Sequence, residues 1–434
     1  MNKNHKLLAL AGFMFLIGAA GAGLFQNEAW ADPLPLPTPP PAPPGLSANA
    51  QGLVVKDGKL YRAIGVNFFD AFMRTFNAPS DTSYRAGFQV LANHKIPYAR
   101  VSMAGFAPND YKLYLTNPTE YFRRMDGVVQ AAADYHVGII ADLFWNNSVC
   151  ADVAGEHMNA YENPTSATYT FMRKYIDDVV GRYKDSPGIA GWECGNEYNL
   201  FNDLSNGYSF LSTYAGSPAT RDPVLDNFPC TRTNTLLSEF AKEVRRVDPY
   251  RIIVSGNSEP RGSAWHLTYQ QNWTQDTVSQ FGQVLRRDNP DPLDAICVHA
   301  YYTTANDFFA GLPVNYSGLM AATKAAGAVV HKPIFVGEFS APSFLDTANN
   351  PPNPDEHAQI AEILAAFEDN KIPLAAVWTF GRWTGWGFGD PSYDIEDTNA
   401  RGYILDLIQQ ANERIAEAVR KETNGVQGPW GLYD

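Results

Sequence analysis

Gly188-Ile-Ala-Gly-Trp-Glu-Cys-Gly-Asn-Glu197 is a short apolar run that ends in a glycine and then a polar pair. In a barrel of parallel strands, this is the pattern of a strand whose carboxyl end emerges into a cleft, here with Asn196 and Glu197 at the opening. Pro333-Ile-Phe-Val-Gly-Glu338 repeats the pattern with a lone Glu at its end.

Outward from these two stretches, strand and helix patterns alternate along the chain. Strands are expected at 63–67, 97–101, 137–143, 189–196, 251–255, 293–299, 333–337 and 374–380. Helices are expected between and after them, at about 83–94, 118–135, 166–183, 234–247, 274–287, 316–329, 355–370 and 402–420. Eight strand-helix repeats fit an α/β fold of the closed (β/α)8 TIM-barrel type. An open doubly wound sheet fits less well, because no Gly-x-Gly-x-x-Gly turn follows the first strand. Ahead of the repeats, 53–62 reads as a hairpin turned at Asp57-Gly58, a lid over the barrel floor.

Composition bounds the partners. The chain has 434 residues, and its net charge of -13 argues against nucleic acid and anionic membrane surfaces while leaving a neutral polymer unopposed. Aromatic residues make up 13% of the chain, enough to fill a core and still supply rings for stacking on sugars. Residues 1–31 read as an export signal, with Lys3 and Lys6 before an apolar stretch and Ala29-Trp-Ala31 as a cleavage site; an uncleaved anchor is the alternative. The expected location is therefore extracellular or periplasmic, with no membrane contact unless that segment is retained. Residues 32–50, rich in proline, read as a stiff linker, and 51–434 as a catalytic domain expected to act as a monomer. Four cysteines are too few for a disulfide framework: Cys194 and Cys297 fall in strands, while export would permit a bridge between Cys150 and Cys230.

Chemistry in such barrels sits at the carboxyl ends of the strands. The residues there are Asn67, Arg100, Trp145 with Asn146, Asn196 with Glu197, His299 with Tyr301, Glu338 and Trp378. Two carboxylates at two strand ends are what glycosidic bond cleavage requires, one giving a proton and one stabilising or capturing the sugar cation. The eight histidines show no His-x-His or similar ligand spacing, so neither metal nor cofactor is expected.

This ordered set resembles the glycoside hydrolases of clan A, most nearly family 5, the cellulases and β-mannanases. The resemblance implies that Glu197 is the proton donor and later the base, with a pKa raised toward neutrality, and that Glu338 is the nucleophile. It further implies that Arg100 keeps Glu338 ionised, that Tyr301 aims it, and that Asn196 binds the sugar 2-hydroxyl. His299 would join the same network, and Trp378 would stack beneath the reacting sugar. Trp383, Trp386 and Phe388 are candidates for the cleft wall. Two departures bear on the substrate. Phe144 and Trp145 follow Asp142 where many family 5 cellulases carry His, and Tyr198 follows Glu197 where Pro is common. Asn146-Asn147 beside Trp145 is similar to the corresponding loop of β-mannanases with the order altered, which sets mannan slightly ahead of glucan. An exo-acting β-glycosidase and a non-catalytic sugar-binding barrel remain the alternatives. Glu193 is expected to be structural and hydrogen-bonded in the lumen; Asp142 and Asp294 have no assigned role.

Overall fold

Two sheets organise the molecule, one closing the other. The first is antiparallel: β1 (Leu46–Ala48), β2 (Val54–Lys56) and β3 (Lys59–Leu60). The second comprises β4 (Ala63–Asn67), β5 (Tyr98–Ser102), β6 (Gly138–Asp142), β7 (Ile189–Glu193), β8 (Ile252–Val254), β9 (Ile296–His299), β10 (Ile334–Phe339) and β11 (Leu374–Val377). The computed structural model describes residues 45–211, 217, 220–302, 315–341, 343, 353–382 and 391–423.

All pairings in the second sheet are parallel, in the order β8-β7-β6-β5-β4-β11-β10-β9. This is the winding of a TIM barrel. At the seam between β8 and β9, Asp294 takes the place of a ladder. Its N–H donates to the Ile253 carbonyl at 2.9 Å and its Oδ2 accepts from the Ile253 N–H at 2.7 Å. A side chain with no assigned role in the sequence thus stitches the barrel shut.

The strands are buried along their whole length, which explains their near-continuous apolar character. Helices pack outside, each with one apolar stripe. In Cys230–Val247 the buried face is Leu236, Leu237, Phe240, Ala241 and Val244. Several helices start where a polar side chain satisfies an orphan N–H. Asn117 accepts from Glu120, Ser166 from Tyr169, and Thr277 forms a capping box with Gln280.

The lower lumen holds a separate apolar layer. Leu46 and Val54 from the small sheet meet Ala63, Tyr98, Ile140, Ala190, Ile252, Phe335 and Leu374 from the barrel strands. The floor is therefore plugged by side chains that have nothing to do with the opposite end.

The structure departs from the sequence reading in several places. The lid is a three-stranded sheet, because Leu46–Ala48 pairs with β2 inside the stretch read as linker. The loop after β8 carries an extra helix, Ala264–Gln270, and the following helix starts later, at Val278. Cys150 and Cys230 do not pair: all four cysteines are buried free thiols. Burial pushes the Cys150 thiol up and Tyr161 is its hydrogen-bond partner. The proposed export signal and most of the linker lie outside the described residues. Among the described residues no helix is long and apolar enough to cross a membrane.

Candidate active site

Arg100 is the hub of the upper lumen. It is fully buried, and its Nε lies 2.8 and 2.9 Å from the two oxygens of Glu193. Its Nη1 donates to Glu338 Oε1 at 2.8 Å and to Asn67 Oδ1 at 3.0 Å, and its Nη2 to Asn196 Oδ1 at 2.9 Å. The face of Trp145 covers the guanidinium, 4.9 Å from ring centre to Cζ. Burial alone would discharge this arginine, but Glu193 and Glu338 outweigh it and push its pKa up. Glu193 is buried in the lumen and hydrogen-bonded there, as expected of a structural carboxylate. Asp142, 3.9 Å from Arg100, is driven well above the usual carboxyl range by burial and then by the charge of Glu193.

Glu338 owes its aim to a bulge. Val336 pairs with Val298, yet Glu338 pairs with His299, so Gly337 is the extra residue between them. A Cβ at Gly337 would lie 2.8 Å from His299 Nε2, so a side chain there would displace the imidazole. The carbonyl of Gly337 accepts from Asn67 Nδ2 at 2.9 Å. Both Glu338 oxygens are engaged, Oε1 by Arg100 and Oε2 by the Tyr301 hydroxyl at 2.6 Å.

Glu197 sits differently. β7 ends at Glu193, three residues earlier than the strand expected over 189–196, and Glu197 itself adopts the left-handed region at φ 57°. For a residue with a Cβ this conformation costs on the order of 1–2 kcal/mol. It is held there by backbone bonds to both flanks: Asn196 N–H to the Trp145 carbonyl at 2.9 Å, and Glu197 N–H to the Gly256 carbonyl at 2.8 Å. Gly256 also has a positive φ, 73°, and a Cβ on it would collide with the Gly195 carbonyl. Tyr198, the departure from the family pattern, is buried and donates its hydroxyl to the Phe144 carbonyl, bracing the same turn.

The two carboxylates converge. An oxygen of Glu197, an oxygen of Glu338 and a nitrogen of His299 all lie within 4.8 Å of one another. His299 Nδ1 is 3.0 Å from Glu197 Oε1 and 3.5 Å from Glu338 Oε1. The Glu197 side chain is 28% exposed and that of Glu338 5%, so the first faces the opening and the second lies behind it. Such a trio of donors could also hold a cation.

The expected upward shift of Glu197 is not what the structure gives. Burial is the largest single influence and raises its pKa. The hydrogen bond and charge of His299, a hydrogen bond from Ser258 and the charge of Arg100 together outweigh it, so the net shift is downward.

Trp378 and Trp145 form an aromatic wall with Phe69 and Phe106. Phe69 stacks on Trp378 at 4.9 Å and 20°, and Phe106 meets Trp145 edge-on at 5.1 Å. Asn146 Nδ2 donates to the Phe106 carbonyl at 2.5 Å, fixing that wall. All ten residues singled out in the sequence therefore gather at one end of the barrel. Ser258, Phe69 and Phe106 were missed; a check of the residues just past the first, second and fifth strands would have found them. Trp383, Trp386 and Phe388 lie outside the described residues.

The chain matches no protein-family model. A mannan endo-1,4-beta-mannosidase F from Aspergillus clavatus is 35% identical over 81 residues, which is 17% of this chain and 18% of that protein. The match thus spans under a fifth of the curated relative. Among solved structures, an endo-1,4-beta-mannanase from Rhizomucor miehei superposes with a TM-score of 0.59 at 17% identity, covering 86% of this chain and all of that one. An endoglucanase from Pseudomonas stutzeri does so with a TM-score of 0.50 at 18% identity, covering 82% and 96%. At such identities the likeness establishes the barrel fold.

Proposed function

We propose that the protein is an exported, retaining β-glycoside hydrolase of the family 5 type that cleaves β-1,4-linked polysaccharide, with Glu338 as nucleophile and Glu197 as acid and base. The observation that carries this reading is the approach of the two carboxylates to within 4.8 Å. Retaining enzymes hold them about 5–5.5 Å apart, whereas inverting ones need about 6.5–9.5 Å to admit a water.

In the first step a Glu338 oxygen bonds to the anomeric carbon while Glu197 gives its proton to the departing glycosidic oxygen. In the second, Glu197 takes a proton from water, the water oxygen bonds to the same carbon, and Glu338 leaves. Arg100 and Tyr301 hold the nucleophile in line. Glu197 must start protonated although His299 and its neighbours pull its pKa down. A sugar that covers its exposed edge adds to burial, the one influence that raises it. Asn196, anchored by Arg100, is placed for the 2-hydroxyl, and the Trp378–Phe69 stack for the sugar face.

Mannan leads glucan as the substrate because both the curated relative and the Rhizomucor structure carry mannan activities in their names. Glucan is the runner-up on the Pseudomonas endoglucanase. The test is a panel of mannan, cellulose and mixed-linkage oligomers followed by proton NMR from the first minutes. Release of the β-anomer supports the reading; release of the α-anomer, or no release from any of them, contradicts it. Activity that survives a chelator sets aside a metal held by Glu197, His299 and Glu338.

A further inference from the structure

Beyond the cleft, the loop after β8 shows an unusual surface. Trp273 is 66% exposed and Tyr269 59%, on a molecule that buries most of its large rings. Trp265 lies half-buried beside Tyr269, with the two ring centres 4.9 Å apart. The segment joining them, Tyr269-Gln-Gln-Asn-Trp-Thr-Gln275, contains no charged residue in a chain of net charge -13.

These rings are exposed by a backbone that is held in place. The Trp273 carbonyl accepts from Ser263 Oγ at 2.9 Å, and the Thr274 N–H donates to Asn272 Oδ1 at 2.9 Å. Below, Asp276 accepts from the N–H groups of Trp265 and His266 at 2.8 and 3.2 Å and lies 2.6 Å from His266 Nδ1, while Trp265 Nε1 donates to Gln283 at 3.1 Å. Thr268 Oγ1 donates to Asp203 Oδ2 at 2.6 Å, tying the short helix to the loop after β7, which carries Glu197. These bonds hold the backbone so that the Tyr269 and Trp273 rings stay in solvent. Leaving them in water forgoes apolar burial, and the arrangement is explained by a partner that covers them.

We propose that Trp273, Tyr269 and Trp265 form a second sugar-binding platform on the mouth side of the barrel, which takes a stretch of neutral polysaccharide outside the catalytic cleft. The inference rests on the glycoside hydrolase reading for the identity of the polymer. Planar rings match the apolar faces of pyranose units, and the amides of Gln270, Gln271 and Asn272 match hydroxyls without favouring a charged chain. An acidic polymer would meet the net negative charge of the protein, and a hydrophobic protein partner would be expected to bring an apolar rim that this segment lacks. The loop leaves the same strand end that supplies Ser258 to Glu197, so a chain lying on the platform is on the face where the cut is made.

The experiment uses the full chain carrying Glu338→Gln, so that the polymer is not consumed, run in native gels containing dissolved galactomannan or hydroxyethylcellulose. Retardation by at least one polymer is expected. Adding Trp273→Ala or Tyr269→Ala should weaken it about tenfold, the change that ~1.4 kcal/mol of stacking produces. Trp273→Phe, which keeps a planar ring, should restore much of it, whereas Trp273→Leu should not. Equal retardation of all variants, or of none, overturns the platform. Melting temperatures check that each variant is folded. Hydrolysis of aryl β-mannoside and β-glucoside by the unsubstituted chain reports separately on the catalytic reading.

Discussion

The two ends of the barrel are built from the same eight strands by opposite means. At the floor, Leu46 and Val54 are pressed against Ile140, Ile252, Phe335 and Leu374 in an apolar layer. At the mouth, one fully buried arginine is shared between two glutamates and two asparagines. Apolar burial is non-directional and tolerates rearrangement, whereas buried charges are favourable only when every partner is in place. The floor therefore supplies stability, and the mouth uses some of it to hold groups where chemistry needs them.

The comparison breaks most visibly at the nucleophile. Glu338→Gln should lower kcat on the order of 10⁴-fold or more in steady-state rates, while Glu193 still pairs with Arg100 and the chain stays folded at the assay temperature, as calorimetry would show. Leu46→Ala should do the reverse. Removing a fully buried leucine from the floor costs about 2–5 kcal/mol, read as a lower melting temperature with kcat intact at temperatures where the protein is folded. Loss of kcat at such temperatures would show that the two ends are not independent.

The electrostatics of the mouth can be probed at His299. His299 is the leading influence that lowers Glu197 against burial. In His299→Asn burial is less opposed, so the Glu197 pKa rises and the basic limb of the kcat/KM profile moves to higher pH. A limb that stays in place would mean that His299 does not act on the acid.

The last effect is one of pH on stability and concerns Glu259, which follows Ser258 on the loop after β8. Burial pushes its pKa up to about 8. Unfolded, it would titrate at the ordinary carboxyl value of about 4.3. The native state thus binds a proton that the unfolded chain releases as pH rises between these values. Stability from this group is complete below about pH 4.3 and is lost as pH climbs toward 8, by an amount on the order of a few kcal/mol. Glu259→Gln should flatten that slope in a series of melting temperatures. A slope unchanged by the substitution would place Glu259 in water.

Much of this was legible in the residues. The alternation of apolar runs with amphipathic helices specified the barrel, and strand ends specified where to look for Arg100, Glu197, Tyr301 and Glu338. What stayed hidden depended on neighbours far along the chain. Glu197 has a left-handed backbone because the carbonyls of Trp145 and Gly256 hold it, and nothing local announces that. Its lowered pKa depends on His299 and Ser258, which arrive from two other strands. The isolated Gly337 was a readable sign of a bulge, but its need for space comes from His299. Leu46–Ala48 is only three residues long beside a proline run, too short for a period to show.

Retention through Glu338 requires a covalent bond between its carboxylate and the sugar. Incubation with a 2-deoxy-2-fluoro β-mannosyl or β-glucosyl fluoride, followed by mass spectrometry of the digested protein, tests it directly. The account predicts one added glycosyl unit on the peptide containing Glu338, absent from Glu338→Gln. A label on another residue, or turnover that yields the inverted anomer with no label at all, would contradict it.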